Sequence, residues 1–281
     1  MDDDERDQPH RWYSTNLVGV PTGVLASVAF NAHPVELSIA GARASHPGLF
    51  GLLERSASLN EAREVFVNYL DIAFGLRAPE AHEIDSLDPN ERRRWRSSWR
   101  KLLQGWGMDA NSRAGAVLKG WVENRFGLVP IHHRERLARF PSPAWIAYLE
   151  EKATSRLHNN NIHQQLDLLF EFCQFALRRF GLPGQPAPVR HLRLWRGTTR
   201  GEEQVVAGSL RERHCTVHLN NLVSFSLSKD EADCFGDWVF ETQVPACKVL
   251  VFPGLLPGQV LQGEQEVLAL GGNYRVEARY A

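Results

Sequence analysis

The sequence is poor in cysteine, and its cysteines form no C-x-x-C pair. The four thiols are Cys173, Cys215, Cys234 and Cys247. Four scattered cysteines do not make the dense disulfide framework of small secreted domains. A chain of 281 residues can bury a full core without disulfides or a structural metal. We therefore expect free thiols and a reducing, cytoplasmic compartment.

The sequence also lacks an excess of charge of one sign and a long apolar run. Its formal net charge is −1, so no overall field favours nucleic acid or an acidic membrane. The first apolar stretch, residues 17–30, is broken by glycine, proline and serine and is too short to cross a bilayer. It also lacks the basic lead of a signal peptide. We expect no membrane span, no secretion signal and no nucleic-acid partner.

Helical spacing dominates the first two thirds of the chain. Apolar residues follow a helical period over residues 61–74 and over residues 160–180, where Gly181 and Pro183 end the longest candidate helix. A third candidate helix carries four apolar residues on one face: Trp95, Trp99, Leu102 and Trp106.

After a turn-rich link at residues 181–188, the pattern changes to short apolar stretches rich in β-branched and aromatic residues. The predicted strands cover residues 191–195, 221–227, 238–244, 248–252, 266–270 and 274–280. The predicted fold class is α+β, with a mainly helical region over residues 1–185 and a β-rich region over residues 186–281.

Two glutamates stand at the start of a predicted strand. Residues i and i+2 of a strand point to the same face, so Glu264 and Glu266 would project side by side. Adjacent carboxylates repel and lie either in solvent or at a site. Taken alone, the pair is equally compatible with two solvated side chains at the rim of the core.

Two further segments of the β-rich region carry polar side chains in the same kind of pattern. Ser224 and Ser226 share a strand face, and their hydroxyls could hold a carboxylate by hydrogen bonds. Arg196 ends a predicted strand beside Gly197, where its planar fork could hold phosphate oxygens and the glycine would let backbone approach a ligand. The alternatives are a polar edge strand and a surface arginine before a turn.

The order of these three segments resembles that of the arginine-specific ADP-ribosyltransferases. More narrowly, nearly the whole chain resembles the dinitrogenase reductase ADP-ribosyltransferases of nitrogen-fixing bacteria. The narrower resemblance includes residues 14–21, 30–34, 37–41 and 165–173 together with the three segments.

The resemblance implies a core of two small antiparallel-rich β-sheets that form a cleft for NAD, which serves as cosubstrate; no metal is expected. Arg196 matches the arginine that holds an NAD phosphate, and Gly197 lies where backbone groups bind the nicotinamide amide. The resemblance also assigns NAD contacts to Asn221 and to Phe235, and it places Ser226 in the NAD-binding serine motif.

The resemblance further implies the catalytic groups. Glu266 matches the glutamate that binds the ribose 2′-hydroxyl, Ser224 the serine that orients it, and Glu264 the acid that faces the acceptor arginine. Residues 257–263 correspond to a loop that helps select the target. The middle residue of the serine motif is often Thr and here is Phe225, which points away from the serine face, so we expect little catalytic cost.

The implied partners are dinitrogenase reductase, as the protein substrate, and a signalling protein of the P-II type. The implied reaction transfers ADP-ribose from NAD to an arginine, releases nicotinamide, inactivates the target and so regulates nitrogen fixation. Two alternatives remain open: the same chemistry on a different protein, and a non-catalytic NAD-binding regulator.

Three other groups could attract a functional interpretation. A zinc site is conceivable from His214, Cys215, His218 and Cys234, but their spacing fits no common pattern. His132 and His133 are predicted to lie in a loop. The basic, Trp-rich segment 91–106 is typical of an amphipathic helix that buries tryptophans and exposes arginines; docking to an acidic partner and nucleic-acid binding are the alternatives.

Overall fold

The computed structural model describes residues 16–76, 98–182, 184–258, 261 and 265–280, and it confirms the α+β class. The helices are α1 (Thr22–Leu25), α2 (Val28–Ala32), α3 (Ala42–Ser45), α4 (Pro47–Leu53), α5 (Leu59–Phe74), α6 (Trp99–Met108), α7 (Arg113–Phe126), α8 (Pro143–Thr154), α9 (Asn160–Arg179) and α10 (Lys229–Asp233). The strands are β1 (His132–His133), β2 (Glu135–Arg136), β3 (His191–Thr198), β4 (Val205–Gly208), β5 (His214–Ser226), β6 (Trp238–Pro245), β7 (Val249–Val251) and β8 (Glu266–Tyr280).

The predicted helices are confirmed within one or two residues. Helix α5 begins after Ser58, whose hydroxyl accepts the backbone N–H of Glu61 and satisfies a donor that the first turn leaves free. Helix α9 begins in the same way after Asn159. Helix α6 buries the predicted face with Trp99, Leu102 and Trp106, whereas Trp95 lies outside the described residues.

Helix α9 connects four other parts of the molecule through buried polar side chains. A buried polar group needs a partner, because an unpaired one costs free energy. Gln165 accepts the backbone N–H of Trp99, Asp167 accepts from Trp121 and Arg125, Glu171 accepts from Ser38 and the N–H of Ile39, and Gln174 donates to the carbonyls of Ala246 and Val249. The helix thereby fixes α6, α7, the chain before α3, and the sheet relative to one another.

Six of the strands form one antiparallel sheet in the order β4-β5-β3-β6-β8-β7, with an additional pairing of β5 with β8. The resemblance implied two small sheets; here hydrogen bonds join all six strands. The two long strands make this possible. Strand β8 pairs with β5 along most of its length and with β6 at its end, so the sheet folds back on itself.

The last two predicted strands are one continuous strand, β8. The glycines at 271 and 272 suggested a break between them, but they serve a close crossing. A Cβ at Gly271 would lie 1.6 Å from the carbonyl oxygen of Asn220, where β5 shifts register between Leu219 and Leu222. Prediction also missed β4 and the first half of β5.

One hydrophobic cluster runs through both the helical and the β-rich parts. It includes Phe66 and Trp121 from helices and Leu194, Phe225 and Leu268 from strands, all at most 3% exposed. The predicted division at residues 185 and 186 therefore does not coincide with a break in the core. No helix in the described part of the chain has the length and apolarity of a bilayer span.

Candidate active site

Three strand segments that are distant in sequence meet at one place in the sheet. Trp195 of β3 pairs with Ser226 of β5, and Ser226 pairs in turn with Glu266 of β8. Arg196 and Gly197 follow directly on β3. The polar residues that the sequence singled out therefore lie on adjacent strands.

Ser224 and Glu266 form the closest polar pair of this group. The Ser224 hydroxyl donates to Glu266 Oε1 at 2.6 Å, at the short end of the range for O–H···O hydrogen bonds. The bond is diagonal, because Glu266 lies opposite Ser226, and residues i and i+2 share a face. The expected contact between the serine and the carboxylate is thus present.

Arg196 approaches the same serine from the other side. Its Nη1 donates to the backbone carbonyl of Ser224 at 2.8 Å, and its Nε is buried without a hydrogen-bond partner among the described residues. Burial lowers the pKa of the Arg196 guanidinium, whereas the negative charge of Glu266 raises it. A guanidinium remains charged in proteins, so this part of the sheet places a cation close to the Glu266 carboxylate.

Gly197 lies where β3 and α10 touch. A Cβ at this position would lie 2.0 Å from the carbonyl oxygen of Ala232 and 3.0 Å from the Cβ of Phe235. Only glycine permits this approach. Phe235, which follows α10, is 70% exposed, so an aromatic ring stands in the open beside the glycine.

Ser226 holds the start of α10. Its hydroxyl donates to Glu231 Oε2 at 3.2 Å and accepts the backbone N–H of Ser228 at 3.0 Å. Ser228 in turn caps the helix by accepting the N–H of Glu231. Ser226 therefore fixes the segment that carries Phe235.

Asn221 is not brought to this group. It is 3% exposed, and its amide nitrogen donates to the carbonyls of Lys119 and Leu128 at 2.8 and 2.9 Å. Those carbonyls belong to α7 and to the segment that follows it. Both amide hydrogens of Asn221 thus connect β5 to the helical region.

The second acid of the predicted pair, Glu264, lies outside the described residues, as do Gln259, Val260, Gln262 and Gly263 of the predicted target-selecting loop. The described chain resumes at Gln265, whose carbonyl accepts the backbone N–H of Leu227 at 3.0 Å. Strand β8 is therefore tied to the end of β5 one residue before Glu266.

Trp106 is a member of this group that sequence reasoning did not assign to the site. Its indole Nε1 donates to the Ser224 hydroxyl oxygen at 3.0 Å. The helical spacing of Trp106 with Trp99 and Leu102 indicated only burial, since such spacing carries no information on a partner 118 residues away.

The four side chains considered for zinc are not brought together. Among the residues that the structure describes, no group of three or more His, Cys, Asp or Glu side chains is arranged to hold a metal. His218 bonds Asn273 through its ring, and the exposed Cys234 thiol donates to the carbonyl of Asp230.

His132 and His133 form a two-residue strand rather than the predicted loop, in a hairpin with β2. His133 is 3% exposed and bonds the buried Lys119 at 3.2 Å and Glu151 at 3.1 Å. In the basic segment, residues 91–97 lie outside the described part, and Arg100 pairs with Asp71 at 3.1 Å.

A cavity of about 570 Å³ lies elsewhere on the sheet, where β6 and β8 diverge beside α2. Asn31, Thr242 and Arg275 are among its lining residues, and none of the lining residues belongs to the group around Ser224. This cavity therefore lies apart from the group around Ser224.

The group combines a carboxylate with a fixed direction, an arginine whose buried Nε has no partner among the described residues, and an exposed aromatic ring. A directed carboxylate can stabilise a positive charge that develops during bond cleavage. A guanidinium with an unused donor can bind an anionic oxygen. The arrangement fits a ligand that carries both a phosphate and a group that becomes cationic as it reacts.

Comparison with known proteins confirms the family resemblance. The family model described as dinitrogenase reductase ADP-ribosyltransferase matches residues 15–278. The NAD(+)–dinitrogen-reductase ADP-D-ribosyltransferase of Rhodospirillum rubrum is 47% identical over 280 residues, which cover 100% of both chains. No solved structure matches the chain significantly.

Proposed function

We propose, since the chain belongs to the dinitrogenase reductase ADP-ribosyltransferase family, that it transfers ADP-ribose from NAD to an arginine of dinitrogenase reductase, the nitrogenase iron protein, and releases nicotinamide. The modification would inactivate the iron protein and so regulate nitrogen fixation. One observation carries the proposal for this chain: the Ser224 hydroxyl bonds Glu266 at 2.6 Å while Arg196 bonds the carbonyl of the same serine.

Arg196, Gly197 and Phe235 are the residues we assign to NAD binding. The buried Nε of Arg196 has no partner among the described residues and suits a phosphate oxygen. Gly197 lies beside Phe235, whose exposed ring can pack on a flat heterocycle, and we assign the nicotinamide amide to its backbone from the family resemblance. Ser226 supports this part through Glu231, and Asn221 is left out because backbone carbonyls occupy its amide nitrogen.

Glu266 is the residue we assign to bond cleavage. When bound, NAD supplies the ADP-ribosyl group and nicotinamide as its leaving group. Cleavage of such a bond leaves positive charge on the sugar, as in glycoside hydrolysis. A carboxylate already held by Ser224 stabilises that charge without having to reorient.

Glu264 is the residue we assign to the acceptor. An acceptor guanidinium is protonated at neutral pH and is therefore a poor nucleophile. A carboxylate that pairs with it favours proton loss as attack begins. We assign this role to Glu264 from its place two residues before Glu266 in the sequence.

The test is nicotinamide release from NAD in the presence of dinitrogenase reductase, with the modified arginine located by peptide mass. Glu266→Gln keeps the shape and removes the charge, so it should slow release at least ~10²-fold. Glu277→Gln is the matched control, because Glu277 lies at the other end of β8 and pairs with Arg279. A wild-type chain that binds NAD and leaves the iron protein unmodified would contradict the proposal.

The proposal extends to location and regulation. All four cysteines are free, which suits a reducing compartment, and we place the reaction in the cytoplasm. We also propose a P-II-type signalling protein as a regulator, following the family resemblance. Co-purification of such a protein with the full chain would test this part separately from the chemistry.

A further inference from the structure

We infer that Trp106 is a positioning residue for the reaction: its indole N–H sets the direction of the Ser224 hydroxyl and, through it, that of the Glu266 carboxylate. This inference rests on the proposed function. It adds to that function a contribution from helix α6, which lies outside the β-rich region that carries the other assigned groups.

The first step of the argument is the hydroxyl itself. A serine hydroxyl has one hydrogen to donate and can rotate about its C–O bond. Trp106 Nε1 can only donate, so the 3.0 Å contact makes Ser224 Oγ the acceptor. The serine hydrogen is then free for Glu266 Oε1, at 2.6 Å. The indole thus selects the rotamer in which the hydroxyl serves the carboxylate.

The second step is the fixation of the serine backbone. Arg196 donates to the Ser224 carbonyl at 2.8 Å, and Ser224 pairs with Leu268 in the sheet. The main chain of Ser224 is therefore held from two sides, and rotation of its hydroxyl is the freedom that remains. Trp106 removes that freedom.

The third step is the fixation of the indole. Helix α6 is anchored at its start by the bond from the Trp99 N–H to Gln165, at 2.9 Å, and by the Arg100–Asp71 ion pair at 3.1 Å.

At Gly105, next to the indole, α6 lies so close to α7 that an added Cβ would be 2.6 Å from the Cβ of Ala114. Trp106 is 4% exposed. Its N–H is therefore held in place by the helical region.

The test replaces the indole by a ring without the N–H. Trp106→Phe should lower kcat for nicotinamide release about tenfold, the size expected for one lost directing hydrogen bond, while KM for NAD changes less than about twofold. The reaction mixture contains the full-length chain, NAD and dinitrogenase reductase. The split between kcat and KM separates positioning from NAD binding.

Trp99→Phe is the matched control. Trp99 lies on the same helix and is 0% exposed, and its Nε1 is buried without a hydrogen-bond partner among the described residues. Both substitutions remove the same atoms from a core, so both should lower the thermal midpoint. Only Trp106→Phe should lower kcat. An equal loss of kcat in both variants would mean that core packing is responsible and would overturn the inference.

A double-mutant cycle tests the route through the serine. In a Ser224→Ala background the indole has no hydroxyl to direct, so Trp106→Phe should cause no further loss of kcat. If the loss persists at full size, Trp106 acts by another route and the inference is wrong. Benzothienylalanine at position 106, which keeps the bicyclic ring and lacks the N–H, should reproduce the tenfold effect if Trp106→Phe does not fold.

The result also separates the inference from the function on which it rests. A wild-type chain that releases no nicotinamide contradicts the proposed function. An active wild type with an equally active Trp106→Phe variant contradicts the role of Trp106 alone.

Discussion

Gly197 meets two demands at a single position. The close approach of α10 leaves no room for a Cβ, which would lie 2.0 Å from the carbonyl oxygen of Ala232. The proposed function needs accessible backbone at the same place. The close packing against α10 is visible in the fold, whereas the backbone contact belongs to the bound ligand. Loss of activity on substitution of Gly197 would therefore not distinguish a packing defect from a lost contact with NAD. Substitution of Glu266 by Gln, which keeps the shape of the side chain and removes its charge, is more informative.

Lys248 is a lysine whose side chain is fully buried, and burial changes its pKa. It is 0% exposed, its Nζ has one long contact with the Gly271 carbonyl at 3.5 Å, and it lies over the rings of Phe30 and Tyr274. Burial lowers the pKa of Lys248 to about 7. The ordinary pKa of a lysine in an unfolded chain is ~10.4.

The pH dependence of stability follows from this difference. Between pH 7 and about 10 the unfolded chain binds more protons at this lysine than the folded chain, so the free energy of unfolding rises with pH, by up to about 1.4 kcal/mol per unit. Lys248→Met removes the contribution. The stability gained on substitution should therefore be largest at pH 7 and should shrink toward pH 8.5.

The measurement is urea unfolding of both proteins at several pH values in that window. Only the difference between variant and wild type is interpreted, because Lys119, whose pKa burial also lowers to about 7, titrates in both proteins. A difference in the free energy of unfolding that does not change with pH would contradict the assignment of the charge to Lys248.

At the scale of elements, helix α6 begins in an unusual way. Its N-cap residue, Ser98, makes no side-chain capping bond, and the N–H of Trp99 is accepted instead by Gln165 of α9, at 2.9 Å. The start of one helix is therefore completed by the buried face of another. Because α6 carries Trp106, this bond also bears on the proposed site.

We expect Gln165→Ala to lower the free energy of unfolding by about 1–2 kcal/mol, the usual cost of a lost cap and an unpaired buried donor. Ser98→Ala should have an effect under about 0.5 kcal/mol, in contrast to most N-cap serines. Urea unfolding of the two variants gives both values. The reverse order would show that Ser98 caps the helix and that Gln165 does not.

Local pattern predicted the elements that have a clear period. The helical period over residues 61–74 and 160–180 predicted α5 and α9. The alternation around Ser224 correctly placed Ser224 and Ser226 on one face of a strand. The break predicted between residues 270 and 274 was wrong, because Gly271 serves a crossing with Asn220 that only the folded sheet contains. The sequence alone does not distinguish a glycine that ends a strand from a glycine that lets another strand pass close by.

The site was predictable to the same extent. The contact between Ser224 and Glu266 follows from two strands whose side chains alternate, so their pattern and the family resemblance were sufficient. Trp106 and Asn221 depend on which helix packs against which strand. Nothing local to position 106 indicates a serine 118 residues further along the chain.

The whole molecule shares one core between its helical and β-rich parts. Buried side chains of α9 pack with the strands, Gln174 bonds the carbonyls of Ala246 and Val249, and Asn221 bonds two carbonyls of the helical region. Contacts between the helical half of the sequence and the β-rich half therefore hold the strands that carry the assigned residues.

We expect the fragment of residues 186–281 to lack a cooperative unfolding transition, because it would expose the sheet face that α9 and α7 cover. Near-ultraviolet circular dichroism and urea unfolding of the fragment, beside the full-length chain, test this. A sharp transition in the isolated fragment would instead support two independently folding domains that meet near residue 185.

Helix α9 also limits how the length of this chain can change. Each residue of an α-helix advances the rotation by about 100°, so one residue inserted near the middle of α9 would turn Glu171 and Gln174 away from their partners while Gln165 and Asp167 stayed in place. A substitution in α9 removes the contacts of one side chain. An insertion would displace Glu171 and Gln174 from their partners at the same time. Helix α9 therefore tolerates changes of single side chains better than any change in its length.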